Sequence, residues 1–303
     1  MEVSLKMESR NFKKLLREKD VIAIPGTFNA LVAKLIEAKG FDAVLCTGAG
    51  ISTSLLGLPD IGLITLTEMT QLVGHICSAV KLPVISDADT GFGNAINAMR
   101  TVREFEKVGA AGIHIEDQVA PKRCGHVAGK EVIPAEEMAG KIKAAVSART
   151  NPDFVIIART DAKTVEGLKA AIRRGQIYRD AGADILFPEA LETRQEFEEF
   201  AKSFPDVPLL ANMTEFGKTP YFSLQEYRQM GYKVVVFPVS TMRVAMKAVD
   251  GFLTDLKIKG TQKDYVDKMQ TRKELYDLVN YSQFTAWENL FLSAGGVDPL
   301  SKR

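Results

Sequence analysis

The sequence predicts an α/β fold, a closed (β/α)8 barrel of the TIM type with extra helices at its C-terminal end. Three observations predict it: short apolar runs recur along the chain, segments of helical periodicity separate them, and glycines stand between several helices and the following strands. With 303 residues, 46% of them hydrophobic, the chain can bury the core of one large barrel or of two domains. A doubly wound open sheet is the alternative, but one uninterrupted series of β/α units favours the barrel.

Each apolar run is predicted to be a parallel strand. Nearly continuous apolarity over about four residues is typical of strands that are buried on both faces, as in sheets whose crossovers are helices. The eight runs span residues 21–24, 43–46, 83–86, 112–115, 154–157, 184–187, 208–211 and 234–237.

The segments between the runs are predicted to be helices, because their apolar residues recur at helical spacing. Gly109, Gly182 and Gly231 each follow such a segment just before a strand, where glycine can adopt the left-handed conformation that ends a helix. The predicted helices span residues 28–39, 67–80, 96–108, 136–148, 165–181 and 195–203.

Beyond the eighth strand, the sequence continues with more helix than one barrel needs. Helical patterns cover residues 242–256, 265–278 and 284–292, and a polar break lies at 257–262. We therefore predict a catalytic barrel at 1–257 and a helical extension at 258–303. The extension is expected to pack on the barrel or on a neighbouring subunit.

Charge and composition exclude two classes of partner. The 39 Lys and Arg residues nearly balance the 38 Asp and Glu residues, for a net charge of +1, whereas nucleic-acid binding requires a surplus of clustered positive charge. No segment has the apolar stretch of a signal peptide or the roughly 18 apolar residues of a membrane span. The three cysteines are widely spaced, which predicts a cytoplasmic protein without a disulfide framework.

Polar residues follow most of the predicted strands, at the end where such barrels carry their chemistry. Asp87 and Asp89 stand two residues apart after the third strand, so their side chains are expected to project to the same side. Two close carboxylates repel each other unless a cation lies between or beside them, and hard oxygen ligands suit Mg²⁺. Alternatively, one aspartate caps the following turn. Glu116, after the fourth strand, favours the metal site.

The polar, glycine-containing segment 121–130 after the fourth strand is predicted to be a mobile lid. Within it, Cys124 is flanked by Lys122, Arg123 and His126, and neighbouring cations favour the thiolate form. Such a thiol can act as a nucleophile or can give and take a proton. The alternative is a surface cysteine without a role.

Three arginines are candidates for binding carboxylates, because the guanidinium group pairs with a carboxylate through two parallel hydrogen bonds. They are Arg159, Arg243 and Arg272. For each of them, a solvated surface position is the alternative. Arg159 is the strongest candidate, since it directly follows the apolar residues of a predicted strand.

Together these motifs resemble the isocitrate lyase and phosphoenolpyruvate mutase superfamily, and within it they are most similar to the 2-methylisocitrate lyase family. The resemblance covers about residues 10–281. The mutases and hydrolases of the superfamily lack the Cys-Gly-His loop, and isocitrate lyases are much longer. The motifs that carry the resemblance are KRCGH at 122–126, DADTGFG at 87–93, IEDQ at 115–118, NMTEFG at 212–217 and MQTR at 269–272.

The resemblance implies a Mg²⁺-dependent lyase of the methylcitrate cycle, in propionate catabolism, that cleaves 2-methylisocitrate to pyruvate and succinate. It also implies a homotetramer, a dimer of dimers, with a C-terminal helix swapped between subunits. The implied metal ligands are Asp87 and Asp89, and the implied catalytic residues are Cys124, Arg159, Glu116 and His126. The positions implied to bind the tricarboxylate substrate are Thr47, Gly48, Ala49, Asp60, Cys124, Gly125, Arg159, Glu189, Asn212, Met213, Thr214, Arg243 and Arg272.

Three alternatives stay open at the level of sequence. One is an isocitrate lyase, which gives glyoxylate and succinate. Another is an oxaloacetate or phosphonopyruvate enzyme, which Cys124 disfavours, and the third is an inactive barrel that binds a metabolite. The chain also departs from the family pattern: Leu45 stands where relatives usually carry Tyr, which leaves the general base unassigned, and Thr47 and Ala49 replace Ser and Gly.

Overall fold

Eight parallel strands form a nearly closed barrel in the computed structural model, which describes residues 11–125 and 129–292. The strands are β1 (Ile22–Thr27), β2 (Val44–Cys46), β3 (Val84–Asp87), β4 (Gly112–Glu116), β5 (Val155–Thr160), β6 (Ile185–Pro188), β7 (Leu210–Asn212) and β8 (Val234–Phe237). The spatial order is β6-β5-β4-β3-β2-β1-β8-β7, and a bridge between Leu186 and Leu209 joins the two ends. All eight predicted strands and the predicted barrel are confirmed.

Helices follow every strand. They are α2 (Ala30–Ala38), α3 (Leu66–Ala79), α4 (Ala95–Lys107), α5 (Ala135–Ala148), α6 (Leu168–Asp180), α7 (Arg194–Lys202), α8 (Leu224–Gln229) and α9 (Ser240–Lys259), preceded by α1 (Phe12–Glu18) and followed by α10 (Arg272–Leu278) and α11 (Tyr281–Leu292). The three glycines expected to end helices have positive φ angles, of 91° at Gly109, 100° at Gly182 and 94° at Gly231. In this conformation glycine avoids the strain that a Cβ would bring.

Two predicted helices are each divided in the structure. The segment 165–181 is interrupted at Gly167, whose φ of 88° separates a short turn of helix (Lys163–Glu166) from α6. The segment 265–278 becomes a 3₁₀ turn (Lys263–Lys268) and α10, which begins anew behind the capping residue Thr271. In both places a good local stop signal overrides the helical spacing around it.

Side chains alternate strictly between the inside of the barrel and the layer under the helices. On β5, Val155 and Ile157 belong to the inner apolar cluster, whereas Ile156 and Ala158 pack with the helices. Successive strand residues point to opposite faces, so every second residue continues the inner row. The inner row therefore reaches the mouth of the barrel as Arg159, and the other strands follow the same rule.

Helix α1, which the apolar pattern did not predict, contributes to the inner cluster. Its residue Phe12 is fully buried and packs with Ile22, Ala43 and Val155, which lie near the N-terminal ends of their strands. Asn11 caps the helix and accepts a hydrogen bond from the backbone of Lys14 at 2.8 Å. The helix thus closes the end of the barrel opposite the mouth.

Replacement of Phe12 by alanine is expected to destabilise the fold by about 3–5 kcal/mol, the cost of emptying a buried phenylalanine site. Denaturant unfolding followed by circular dichroism measures the loss. Phe41→Ala is the matched control, because the side chain of Phe41 is 38% exposed and its removal should cost far less. Equal losses in the two variants would show that Phe12 does not plug the barrel.

The described chain divides into two compact units, residues 11–242 and 243–292. The division falls within α9, before the predicted boundary at residue 257. In the second unit none of the described residues is buried, although Phe252 and Tyr265 pack edge to face at 5.1 Å and Tyr276 and Tyr281 stack at 4.4 Å. Among the described residues, no helix is both long and apolar enough to cross a membrane.

Candidate active site

The inner rows of neighbouring strands bring charged side chains together at the mouth of the barrel. Asp87 and Arg159 each stand two residues beyond an inner apolar residue, Ile85 and Ile157. Isolated charges are costly to bury, so a group of this kind has to be held by partners inside it. The inner rows end in polar residues, which include the buried Asp87, His114, Glu116, Arg159 and Glu189 and the half-buried Asn212.

Asp87 is fixed at the end of β3 by backbone donors on both of its oxygens. Its Oδ1 accepts a hydrogen bond from the backbone of Asp89 at 2.9 Å, and its Oδ2 accepts one from Gly48 at 3.1 Å. The Nδ1 of His114 lies 3.6 Å from Oδ1. Burial alone raises the pKa of Asp87, but the charges of His114, Lys122 and Arg159 outweigh it and lower the pKa to about 2. Asp87 is therefore an anion.

Asp89 shares one ammonium group with Asp60. The Nζ of Lys122 lies 3.1 Å from Oδ1 of Asp89 and 2.6 Å from Oδ1 of Asp60, and the Lys122 side chain is only 3% exposed. Burial raises the pKa of Asp89 to about 6, with a further upward contribution from Asp87 and a downward one from Lys122. Asp60 thus belongs to the mouth of the barrel, as predicted. The ammonium group of Lys122 thus lies close to the carboxylates of both Asp60 and Asp89.

Glu116 and Asp161 hold the guanidinium group of Arg159 from two directions. Asp161 accepts from Nε at 2.9 Å and from Nη2 at 3.2 Å, while Nη1 lies 3.1 Å from Oε2 of Glu116. The ring of Phe187 lies beneath, 5.3 Å from the guanidinium carbon. Burial raises the pKa of Glu116 well above its ordinary value despite the opposing charge of Arg159. Arg159 is thus held firmly at the mouth.

The acidic residues suit a hard divalent cation. Within the described residues, Oδ1 of Asp89 and both carboxylate oxygens of Glu116 are buried and accept no well-aligned hydrogen bond, although Lys122 and Arg159 lie beside them as counter-charges. Among the described residues, no three metal-binding side chains already converge on one point. Mg²⁺ accepts this situation, because it keeps several water ligands and uses only one or two carboxylates. Asp87 and Asp89, the predicted pair, therefore fit such an ion.

The Cys124-Gly125 turn lies directly over these groups. A Cβ built on Gly125 would come within 2.6 Å of Nη2 of Arg159 and would overlap Oε1 of Glu189, so a larger residue here would displace the ends of these two side chains. Cys124 is half-buried. His126 lies outside the described residues, and its predicted role stays a prediction. The structure thus places Gly125, next to Cys124, against Arg159 and Glu189, and the predicted roles of these residues stay predictions.

Asn212 and its neighbours on β7 divide between the two faces of the barrel. Nδ2 of Asn212 donates to both oxygens of Glu189, at 3.0 and 3.2 Å, and its buried Oδ1 has no hydrogen-bond partner among the residues that the structure describes. Thr214, two residues further, is half-buried. Met213 instead points away from the mouth and packs under the helices, where its sulfur accepts a hydrogen bond from Tyr227 at 3.5 Å. Its side chain is therefore not at the site.

The turn after β2 is tied to the acidic group through its middle residue. Thr47 is buried and caps a single helical turn (Gly48–Ile51), and Ala49 is half-buried. A Cβ built on Gly48 would approach Oδ2 of Asp87 to 2.5 Å. Leu45 belongs to the inner apolar cluster and is 2% exposed, so this position carries no proton-transfer group.

Two predicted site residues belong to the second unit. Arg243 and Arg272 both lie beyond residue 242, so their contacts with a substrate stay predictions. Conversely, Asp161, Gln118 and Lys130 were not among the predicted site residues. The spacing of two residues from Arg159 could have indicated Asp161. Gln118 stands two residues beyond Glu116, so the same spacing could have indicated it. Lys130 carries no comparable signal, since it meets the site only through the folding of a loop.

Comparison with known proteins shows extensive similarity. The family described as phosphoenolpyruvate phosphomutase matches residues 12–257. The 2-methylisocitrate lyase of Aeropyrum pernix is 53% identical over 272 residues, which cover 90% of this chain and 87% of the relative.

Solved structures agree with the sequence comparison. The crystal structure of a 2,3-dimethylmalate lyase, described as a PEP mutase/isocitrate lyase superfamily member, has a TM-score of 0.88 and 35% identity, covering 96% of this chain and 98% of that one. A phosphonopyruvate hydrolase in complex with oxalate and Mg²⁺ has a TM-score of 0.85 and 30% identity, with coverage of 94% and 99%.

Proposed function

Because this chain belongs to the phosphoenolpyruvate phosphomutase family, we propose that it is a lyase that cleaves the C2–C3 bond of 2-methylisocitrate to pyruvate and succinate. The observation that carries the proposal is the Cys124-Gly125 turn, which lies over Arg159 and Glu189 beside the acidic group of Asp87 and Asp89. The similarity to a 2-methylisocitrate lyase over nine tenths of the chain supports the same reaction.

Mg²⁺ is the cofactor we propose, held by Asp87 and Asp89 with Glu116 beside them. When bound, a divalent ion at such a site stabilises the negative charge that develops on a substrate hydroxyl oxygen. The phosphonopyruvate hydrolase complex with Mg²⁺ supports this choice within the superfamily. Asp87 contributes a permanent negative charge, since its pKa is about 2.

The reaction needs a proton to leave one atom and another proton to arrive elsewhere. Loss of the substrate hydroxyl proton lets the C–O bond become the carbonyl of pyruvate, and the electrons of the broken C–C bond move to the carbon next to the succinate carboxylate. Cys124 gives its proton to that carbon, which completes succinate. A positioned donor of this kind is general acid catalysis. The residue that takes the hydroxyl proton stays unassigned, since position 45 is leucine.

Arg159 and Asn212 bind and stabilise the anionic parts of the substrate. Burial alone would lower the pKa of Arg159, but the carboxylates of Asp161, Glu116 and Glu189 raise it well above its ordinary value, so the guanidinium group stays charged. Donors fixed before the reaction stabilise developing charge without reorganising, and the mouth of the barrel provides such a setting.

Steady-state kinetics on three acids test the assignment. With Mg²⁺, the protein is expected to release pyruvate and succinate from 2-methylisocitrate with a higher kcat/KM than for isocitrate or 2,3-dimethylmalate. The last acid is included because of the similarity to a 2,3-dimethylmalate lyase. Isocitrate differs from 2-methylisocitrate by one methyl group, which hydrophobic pockets discriminate by about 1–3 kcal/mol, so the preference over isocitrate is expected at roughly 10- to 200-fold. A higher kcat/KM for isocitrate would make the protein an isocitrate lyase.

We also propose that the second unit mediates assembly into a cytoplasmic homotetramer. Large apolar side chains of this unit face solvent in the single chain, among them Ile258 at 76% and Phe284 at 61% exposure. Many large apolar side chains that are exposed in one unit of a single chain are typical of a subunit interface. Light scattering is expected to give a mass near four times the chain mass of 33.3 kDa, and a monomer would contradict the proposal. The cytoplasmic location is supported by three free cysteines.

A further inference from the structure

We propose that Gln118 and Lys130 are positioning residues that hold Cys124 at the mouth of the barrel from both sides. Gln118 fixes the residue before Cys124, and Lys130 fixes the residue after it. The inference rests on the proposed function, in which Cys124 is the proton donor. It gives Gln118 and Lys130 a positioning role, since neither residue takes part in the proposed reaction steps.

The side-chain amide of Gln118 forms two hydrogen bonds with the backbone of Arg123. Nε2 donates to the carbonyl oxygen of Arg123 at 2.8 Å, and Oε1 accepts from the backbone N–H of Arg123 at 2.9 Å. The Gln118 side chain is 1% exposed, so neither bond competes with bulk water. A buried side-chain amide that bonds both the N–H and the C=O of one residue replaces the two backbone hydrogen bonds that a neighbouring β-strand would form. The backbone entering Cys124 is thereby fixed.

Lys130 holds the other side of the turn. Its Nζ donates to the carbonyl oxygen of Gly125 at 2.5 Å and to Oδ1 of Asp161 at 2.7 Å, and its side chain is 2% exposed. A buried ammonium group without such partners would be strongly unfavourable, so these two bonds keep Lys130 in place. Lys130 therefore ties the turn to Asp161.

Asp161 connects this tie to the anion-binding arginine. The same carboxylate that receives Lys130 accepts two hydrogen bonds from Arg159. Asp161 is itself fixed, because its backbone N–H donates to Oδ1 of Asp117 at 2.8 Å and its side chain is fully buried. The Cys124 turn and the guanidinium group of Arg159 thus share one anchoring carboxylate. A displacement of Lys130 should consequently affect the proton donor more than the overall fold.

Two variants and a control test the proposal. Lys130→Met and Gln118→Glu each remove a hold on the turn. Lys163→Met is the control, because Lys163 is also largely buried (9% side-chain exposure) and ion-paired, at 2.9 Å from Glu192, but it does not contact the turn. The first measurement is kcat and KM with Mg²⁺ and 2-methylisocitrate. The second is the rate of Cys124 alkylation by iodoacetamide, read by peptide mass spectrometry.

Loss of either hold is expected to lower kcat by about tenfold or more while KM changes far less, since small misplacements of a reacting group are costly. Alkylation of Cys124 is expected to become several-fold faster, because the half-buried thiol gains access. Cys46 and Cys77 are at most 1% exposed and serve as slow internal references. Lys163→Met should change neither measurement.

Unchanged kcat and an unchanged alkylation rate in both variants would overturn the proposal. If Lys130→Met does not fold by circular dichroism, Lys130→Arg decides instead: it keeps a cation and donors, and is expected to retain more activity than Gln118→Glu. In that case, wild-type-like kcat and wild-type-like alkylation in folded Gln118→Glu would overturn the proposal. Alkylation needs no substrate, so a wild-type protein inactive on all three acids would refute the proposed function and leave this comparison valid.

Discussion

Cys124→Ser is expected to lower kcat by about 10²- to 10⁴-fold, the range that a positioned acid or base contributes to a reaction. Serine has nearly the same shape, but its hydroxyl gives up a proton far less readily than a thiol. The turn that carries residue 124 lies against Arg159 and Glu189 and would keep its place, since Gln118 and Lys130 hold its backbone and not its side chain. Release of pyruvate, measured with a coupled dehydrogenase, gives kcat.

The control for this variant is Cys77→Ala. Cys77 is buried under the helices and lies away from the mouth of the barrel, so its loss should reduce stability modestly and leave kcat nearly unchanged. Thermal unfolding of Cys124→Ser should match that of the unaltered protein, which separates a catalytic defect from a folding defect. A Cys124→Ser variant with near-normal kcat would remove the thiol from the reaction.

Asp89→Asn is expected to weaken binding of a divalent cation by about 10- to 100-fold and to reduce turnover at low metal concentration accordingly. The substitution takes one negative charge from the acidic group while it keeps the shape of the side chain. Asparagine also tolerates the left-handed backbone of this position, where φ is 44°, so the backbone should remain in place. Mn²⁺ binding followed by electron paramagnetic resonance measures affinity without reference to activity.

Asp42→Asn is the matched control for the metal experiment. Asp42 pairs with Lys19 at 3.0 Å on the surface and lies outside the site, so its variant should bind Mn²⁺ as the unaltered protein does. Equal Mn²⁺ affinity in Asp89→Asn and Asp42→Asn would show that Asp89 is not a ligand. Loss of affinity in Asp89→Asn with full activity at saturating metal would confine its role to binding.

The strands could be predicted because their signal is local. A buried strand with helices outside it must be apolar on both faces, so runs such as 154–157 identify themselves. Helix α1 could not be predicted in this way. It has only seven residues, too few to be stable by propensity alone, and it exists because Phe12 enters the barrel from below. The residues that stabilise this helix by packing around Phe12, such as Val155, lie far along the chain.

The residues of the candidate site also differ in whether the local sequence indicates them. Asp87, Glu116 and Arg159 were predictable, because a strand end in a barrel of known type points to the mouth. Met213 shows the limit of motif transfer: it lies inside a characteristic motif, yet its side chain alternates to the other face. Lys122, 33 residues after Asp89 in the chain, meets Asp89 and Asp60 only because the loop after β4 folds back over the mouth.

The contact between Gly48 and Asp87 limits how this enzyme can be redesigned or can diverge. Any larger residue at position 48 would bring its Cβ to 2.5 Å from Oδ2 of Asp87, the carboxylate that we propose holds the metal, whereas Thr47 and Ala49 on either side already carry a Cβ. Libraries that aim at longer or shorter acids should therefore vary positions 47 and 49 and leave 48 as glycine. Within this turn, then, we expect positions 47 and 49 to tolerate the changes in side-chain size that position 48 does not.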